Sequence, residues 1–360
     1  MHCRSHAVHA NERRCTRACM AEPARIPVHF PRQLDTHWPA PWRPIPGSRG
    51  GAPALLEFLA VRGALSGASR LPNAPRGWLL DALAWIGQRV DRRHARAAAE
   101  WLDQAFGAEL GADERERRVR GAFRHLLRVT LETERVARRV RPERLLEHID
   151  VVESPDIARL RSEGRGALFV SAHLGDWETA ACLLPWIGFD PLYVVSRPIR
   201  NRYLALHAQR LREQRGIRIL PRHGAMRDIP AVLTSGAHVA MMLDQRARHR
   251  PVIAPFFGRE AACERGPGVI VRRSRSPIVF GTCTYTGHDL RWRCELGPVL
   301  WPETTRRLAP EELAARINAE LERQIRAHPD QQLWLHDRYR RRGEGAAEPA
   351  ADDFDEPATD

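Results

Sequence analysis

Lysine is absent from these 360 residues, so every one of the 57 Lys-or-Arg positions is arginine. A genome that writes Arg where others write Lys produces that at surface positions. Planar guanidinium forks also suit bidentate phosphate recognition, and composition alone does not separate the two. Cysteine is sparse and unpaired. Cys3, Cys15 and Cys19 lie in the first twenty residues, and Cys182, Cys263, Cys283 and Cys294 are scattered with no repeated spacing. That argues against a disulfide framework and for a reducing compartment. His2, Cys3, His6, His9, Cys15 and Cys19 include zinc-ligand types but lack the paired spacing of a finger. No segment reaches the roughly 18 uncharged apolar residues of a spanning helix. The opening residues carry Arg, His and Cys where a signal peptide would be apolar, and Met20 offers a second candidate start.

What is present is a hydrophobic content of 43% and a formal net charge of +13. The first supports a substantial core, and the second a surface that attracts anions. Residues 1–50, with "HFPRQLDTHWPAPWRPIPGSRGG", read as a disordered or extended leader. Residues 51–150 read as helical: "PALLEFLAVRGAL" and "RGWLLDALAWIGQRV" suit either helices lying in a membrane interface or a soluble hairpin. "DERERRVRGAFRHLLRVTLETERVARRV" follows as a long amphipathic helix. From 151 to 342 strand and helix patterns alternate. Strands are expected at 166–173, 191–196, 217–220, 238–243, 251–256, 277–285 and 290–296, and helices at 176–187, 199–215, 226–235 and 265–274. The fold class is therefore α/β, with a mainly parallel central sheet flanked by helices, and the last strands close enough to pair antiparallel. "EELAARINAELERQIRAHP" predicts a closing helix and "DQQLWLHDRYRRR" a terminal one, with a disordered acidic tail over 343–360.

In such a sheet ligands bind beyond the carboxyl ends of the strands. His173 ends the first of the alternating strands, Arg197 ends "LYVVSR" and Asp244 ends "HVAMMLD". A base candidate, a cation and a carboxylate thus converge on one edge. Between His173 and Glu178, Gly175 permits a tight bend and Asp176 can cap the helix, so the two side chains could fold together. A carboxylate beside one imidazole nitrogen fixes the tautomer and supports the charge after proton abstraction. Glu178 as an ordinary first-turn acid is the competing reading.

"HLGDWE" is similar to the His-four-residues-acid motif of the lysophospholipid acyltransferase superfamily. "SRPIRN", "QRLREQRG", "MLDQRARHRPVIAPFFGREAACERGPG" and "IRAHPDQQLWLHDRYRRR" narrow the resemblance to the bacterial lipid A biosynthesis (late lauroyl/myristoyl) acyltransferases, in order over residues 166–342. The resemblance implies a glycerol-3-phosphate acyltransferase-like fold and a helical membrane-associating region. It implies transfer of a fatty acyl chain from an acyl-carrier-protein or acyl-CoA thioester to a lipid hydroxyl, at the cytoplasmic face of a bacterial inner membrane. It assigns His173 as general base and Glu178 as the acid that orients it, and places Arg210 and Asp244 among further active-site residues. Arg210 is expected to meet a phosphate, with Arg197 and Asn201 as weaker substrate-binding candidates. Backbone amides near Gly175 are candidates for the oxyanion, and neither a metal nor another cofactor is required. Cys263 and Glu264 stand where the family usually has small or hydroxyl residues, which bears on acceptor and chain length more than on the reaction. Competing functions are the same chemistry on another glycolipid or an aminolipid, a non-catalytic membrane-surface binder, and a nucleic-acid binder, for which no recognition motif is present.

Overall fold

The computed structural model describes residues 48–196, 199–221 and 225–339. The leader's histidines and cysteines, the acidic tail and Arg197 lie outside the described residues. Four helices come first: α1 (Gly51–Arg70), α2 (Asn73–Val90), α3 (Arg92–Phe106) and α4 (Ala112–Arg139). In α3 the buried Ala97, Ala98, Trp101, Leu102 and Ala105 recur at helical spacing on one face, and Asp91 caps its N-terminus through the His94 amide. The 28-residue α4 buries Val119, Ala122, Phe123 and Val129. It also buries Arg135, whose guanidinium is held by Glu132 at 2.8 Å and Asp289 at 2.9 Å. Asp289 takes Arg76 of α2 as well, at 2.9 Å, so paired charges make this burial tolerable.

The α/β part runs β1 (Ile149–Glu153), α5 (Pro155–Glu163), β2 (Leu168–Ser171), α6 (Trp177–Trp186), β3 (Leu192–Ser196), α7 (Arg202–Glu213), β4 (Ile217–Pro221), α8 (Ala225–Thr234) and β5 (His238–Met242). After it come β6 (Val252–Phe256), β7 (Arg259–Cys263), α9 (Gly266–Ser274), β8 (Ile278–Tyr285), β9 (Trp292–Leu300), α10 (Pro302–Thr305) and α11 (Pro310–Ala327). Seven strands form one sheet in the order β1-β9-β8-β2-β5-β3-β4. All neighbours are parallel except β8 and β9. The mainly parallel α/β architecture read from sequence is therefore the one observed, including the antiparallel pairing of the last strands. Alternation along β2 explains the two cores: Leu168 and Val170 join the one that includes α3, α8, α9 and α11, while Ala167 and Phe169 join the one that includes α5 and α6.

Three expectations change. β1 precedes the first expected strand and pairs with β9. The strand expected at 251–256 is β6, but it belongs to a separate hairpin with β7 that packs on α11 through Asn318, whose amide donates to the Pro255 carbonyl. The segment expected as a terminal helix is a short 3-10 turn (Pro329–Gln331) followed by turns. Helical propensity loses there because residues 331–338 bond outward, to the sheet edge and the hairpin, as described below. Among the described residues no helix is long and apolar enough to cross a membrane.

Candidate active site

Register builds the site. β2 and β5 are adjacent and parallel, with Ser171 opposite Met242, and the Leu243 amide continues the ladder to the Ser171 carbonyl. Two residues beyond each strand end therefore arrive side by side: His173 and Asp244. The His173 Nδ1–H donates to Asp244 Oδ1 at 2.7 Å and the His173 amide donates to Oδ2 at 3.0 Å. Gln332 adds a third donor to Oδ2 at 3.0 Å. Burial would push the Asp244 carboxyl up, but the His173 charge and these hydrogen bonds outweigh it and hold the group down at about 2. A permanently ionised Asp244 fixes the imidazole with Nδ1 inward and leaves Nε2 as the basic nitrogen. His173 keeps about a fifth of its side chain exposed while Asp244 keeps 1%, so only the histidine is open to a substrate.

The acid expected to orient His173 was Glu178, and this is corrected: the orienting contact belongs to Asp244. Gly175 adopts a left-handed φ of +64°, where a Cβ would collide with the Cys283 carbonyl. Asp176 then caps α6 through the Thr179 amide at 3.0 Å and hydroxyl at 2.8 Å. Entering the helix this way turns Glu178 toward α7, where Arg212 grips it with two hydrogen bonds at 3.0 and 2.5 Å. Arg212 is the partner on α7; Arg210, expected to meet a phosphate, is exposed. Asn201 is buried and is used as a cap, accepting from the Tyr203 and Leu204 amides and donating to the Ala54 carbonyl of α1. That is an architectural use in place of the expected substrate contact.

The amides around Gly175, expected to serve an oxyanion, are largely committed. Gly175 N–H donates to the Gln331 carbonyl at 2.8 Å and Asp176 N–H to the Cys283 carbonyl at 2.6 Å. Asp176 is itself fully buried, and burial raises its carboxyl to about 6 against the hydrogen bonds of Thr179. Tyr285 and Trp292 also donate to it, at 3.2 and 3.0 Å. Trp177 closes one side of the base, its ring edge-on to His173 at 5.2 Å, with His125 edge-on behind it at 5.8 Å.

Sequence reasoning missed most of the closing segment's work. Gln331 bonds the Tyr285 backbone on both sides, Leu333 N–H donates to the His173 carbonyl at 2.9 Å, and Gln332 reaches Asp244. His336 accepts from the Arg246 amide at 3.0 Å, and burial lowers its imidazole to about 4, which keeps it a neutral acceptor. Arg338 is buried beneath the hairpin, bonded to the Ala262 carbonyl and Cys263 Sγ. Cys263, which also takes Asn318, is thus part of the core. This stretch lies within "IRAHPDQQLWLHDRYRRR", one of the segments that carry the resemblance, and the helix expected for it hides what its residues do. Among the described residues no group of three or more His, Cys, Asp or Glu is placed to hold a metal ion.

The family model of the bacterial lipid A biosynthesis acyltransferases matches residues 54–341. The lipid A biosynthesis palmitoleoyltransferase of Escherichia coli K12 is 25% identical over 272 residues, covering 73% of this chain and 86% of that protein. The phosphatidylinositol mannoside acyltransferase of Mycolicibacterium smegmatis is 24% identical over 161 residues, 44% of this chain and 52% of that one. Among solved structures, the 1-acyl-sn-glycerophosphate acyltransferase of Thermotoga maritima aligns over 71% of this chain and 96% of its own, at 14% identity and a TM-score of 0.34. The match spans the helices, the strand ends that carry His173 and Asp244, and the closing segment that braces them: the chain belongs to the bacterial lipid A biosynthesis acyltransferase family and is an acyltransferase.

Proposed function

We propose that this acyltransferase moves a fatty acyl chain from an acyl-carrier-protein or acyl-CoA thioester to a hydroxyl of a lipid A precursor or a related glycolipid, with His173 as general base. The observation that carries the base assignment is the 2.7 Å bond from His173 Nδ1 to an Asp244 buried among donors. An acceptor hydroxyl is a weak nucleophile until a base removes its proton during attack, and a fixed tautomer presents Nε2 for that task. Asp244 orients the base and balances the imidazolium, while Glu178 acts through Arg212 by holding α6 to α7 beside the site. Arg210, exposed on α7, remains available to an acceptor phosphate.

The reading includes attachment to the cytoplasmic face of a bacterial inner membrane. Supporting it, α1 and α2 leave Leu56, Leu59, Trp78, Trp85, Ile86 and Val90 exposed, and Arg89 lies over the Trp85 ring at 3.7 Å with Arg92 and Arg93 exposed beyond. Apolar side chains among arginines suit an anionic lipid surface. A related glycolipid acceptor is the second reading, favoured by the similarity to a phosphatidylinositol mannoside acyltransferase.

The test is transfer of labelled lauroyl groups, from carrier protein and from CoA, to tetraacylated lipid A precursor and to phosphatidylinositol mannosides, comparing wild type with His173→Ala. Transfer that falls at least 10²-fold in the variant supports the base, and the accepted lipid names the substrate. Equal transfer by both proteins overturns the base; none by a folded, vesicle-bound wild type overturns these acceptors.

A further inference from the structure

Attack on a thioester carbonyl pushes its π electrons onto oxygen, and that oxyanion needs N–H donors placed where the charge develops. The backbone beside the base is largely committed: the amides of His173, Gly175 and Asp176 donate to Asp244, Gln331 and Cys283. Gln245 is not. It follows Asp244 off β5, half-buried, and its amide nitrogen lies 3.4 Å from Nδ1 and 3.5 Å from Nε2 of His173. Nδ1 is already bonded to Asp244, and near-equal distances to the two nitrogens put the amide over the imidazole, out of line with either lone pair. Among the described residues the Gln245 amide nitrogen makes no shorter hydrogen bond than these two long ones, so its N–H groups face the base without a short, in-line acceptor. A neutral amide there offers a donor without adding a charge that would depress the imidazole.

Resting on the reading of His173 as base, we propose that Gln245 is a catalytic residue whose side-chain amide donates to the oxyanion of the tetrahedral intermediate. The acceptor oxygen bonds to the carbonyl carbon as its proton passes to His173 Nε2, and the carbonyl oxygen becomes the anion that Gln245 binds. On collapse the C–O double bond reforms, the C–S bond breaks, and the departing thiolate takes the proton back from His173. The products are an ester and a thiol. Water replaces the acceptor in slow hydrolysis of the donor, which passes through the same anion and yields a fatty acid.

The experiment measures lauroyl-CoA hydrolysis, and lauroyl transfer where an acceptor is found, for wild type, His173→Ala, Gln245→Met and Gln245→Glu. Met keeps the length and removes the donor; Glu keeps the shape and sets a negative charge against the anion. Expected are a kcat lowered about 10²-fold in Q245M and further in Q245E and, for the uncharged Q245M, an unchanged KM for lauroyl-CoA and an unshifted His173 limb in the pH–rate profile. A kcat within threefold of wild type in Q245M overturns the role of Gln245 while leaving the base intact. A loss in Q245M accompanied by a shifted limb also overturns it, because Gln245 would then act through His173. An H173A protein as active as wild type overturns the base, and this proposal with it.

Discussion

At the ends of β2 and β5 most polar groups are locked to a specific partner: His173 to Asp244, Asp244 also to Gln332, Glu178 to Arg212 and Asp176 to Thr179, Tyr285 and Trp292. The outer faces of α1 and α2 are the reverse. Large apolar side chains stand 66% exposed at Leu56, 72% at Trp78 and 78% at Val90. In a buried polar site the effect of one group depends on its partner, because a donor or carboxylate left alone carries its full desolvation penalty. On an apolar surface the effect is spread over area and is nearly additive. One region is therefore sensitive to identity and the other to sum.

The sharpest way to break that contrast is at Asp244. Asp244→Ala should lower kcat for transfer by 10²- to 10⁴-fold, with Glu178→Gln losing at least tenfold less because its partner is Arg212 and not the base. Comparable losses would return the orienting role to Glu178. The same carboxyl gives a pH signature. Held down at about 2, below the ordinary aspartate value of 3.8, it contributes stability that is present above 3.8 and is lost as pH falls toward 2. Urea midpoints should show that fall in wild type and a shallower one in Asp244→Asn.

Next is Asp176. Asp176→Ala strands Thr179, Tyr285 and Trp292 without their acceptor and removes the cap of α6, which should cost about 3 kcal/mol in urea unfolding at constant m. A loss under about 1 kcal/mol would mean that neighbours or water re-satisfy these donors. The smallest effect belongs to the helices. Leu56→Ser with Trp78→Ser should weaken binding to anionic vesicles by about 2 kcal/mol, roughly thirtyfold, and each single change by about half of that free energy. The urea midpoint should not move, and a large loss from one change alone would make this surface a specific pocket.

Much of the α/β part was legible in the chain. Strands β2, β3, β4, β5, β8 and β9 and helices α6 to α9 announce themselves by apolar runs and helical spacing, and His173 and Asp244 fall where strand-end reasoning looks for chemistry. β1 was hidden because only Ile149 of its five residues is buried, too little apolar patterning to mark a strand at an edge. The 331–338 segment was hidden because its Leu333, Trp334 and Leu335 imitate a helix.

The sequence by itself determined the alternation of elements and the family, and it picked out His173 as the candidate base, since these rest on local patterning and ordered motifs. Only the tertiary structure decided which carboxylate lies against that histidine. Glu178 is five residues from His173 and Asp244 is 71, yet the sheet places β5 beside β2 and the chain bends Glu178 away at Gly175. Strand order is a property of packing between distant segments, and no local period encodes it.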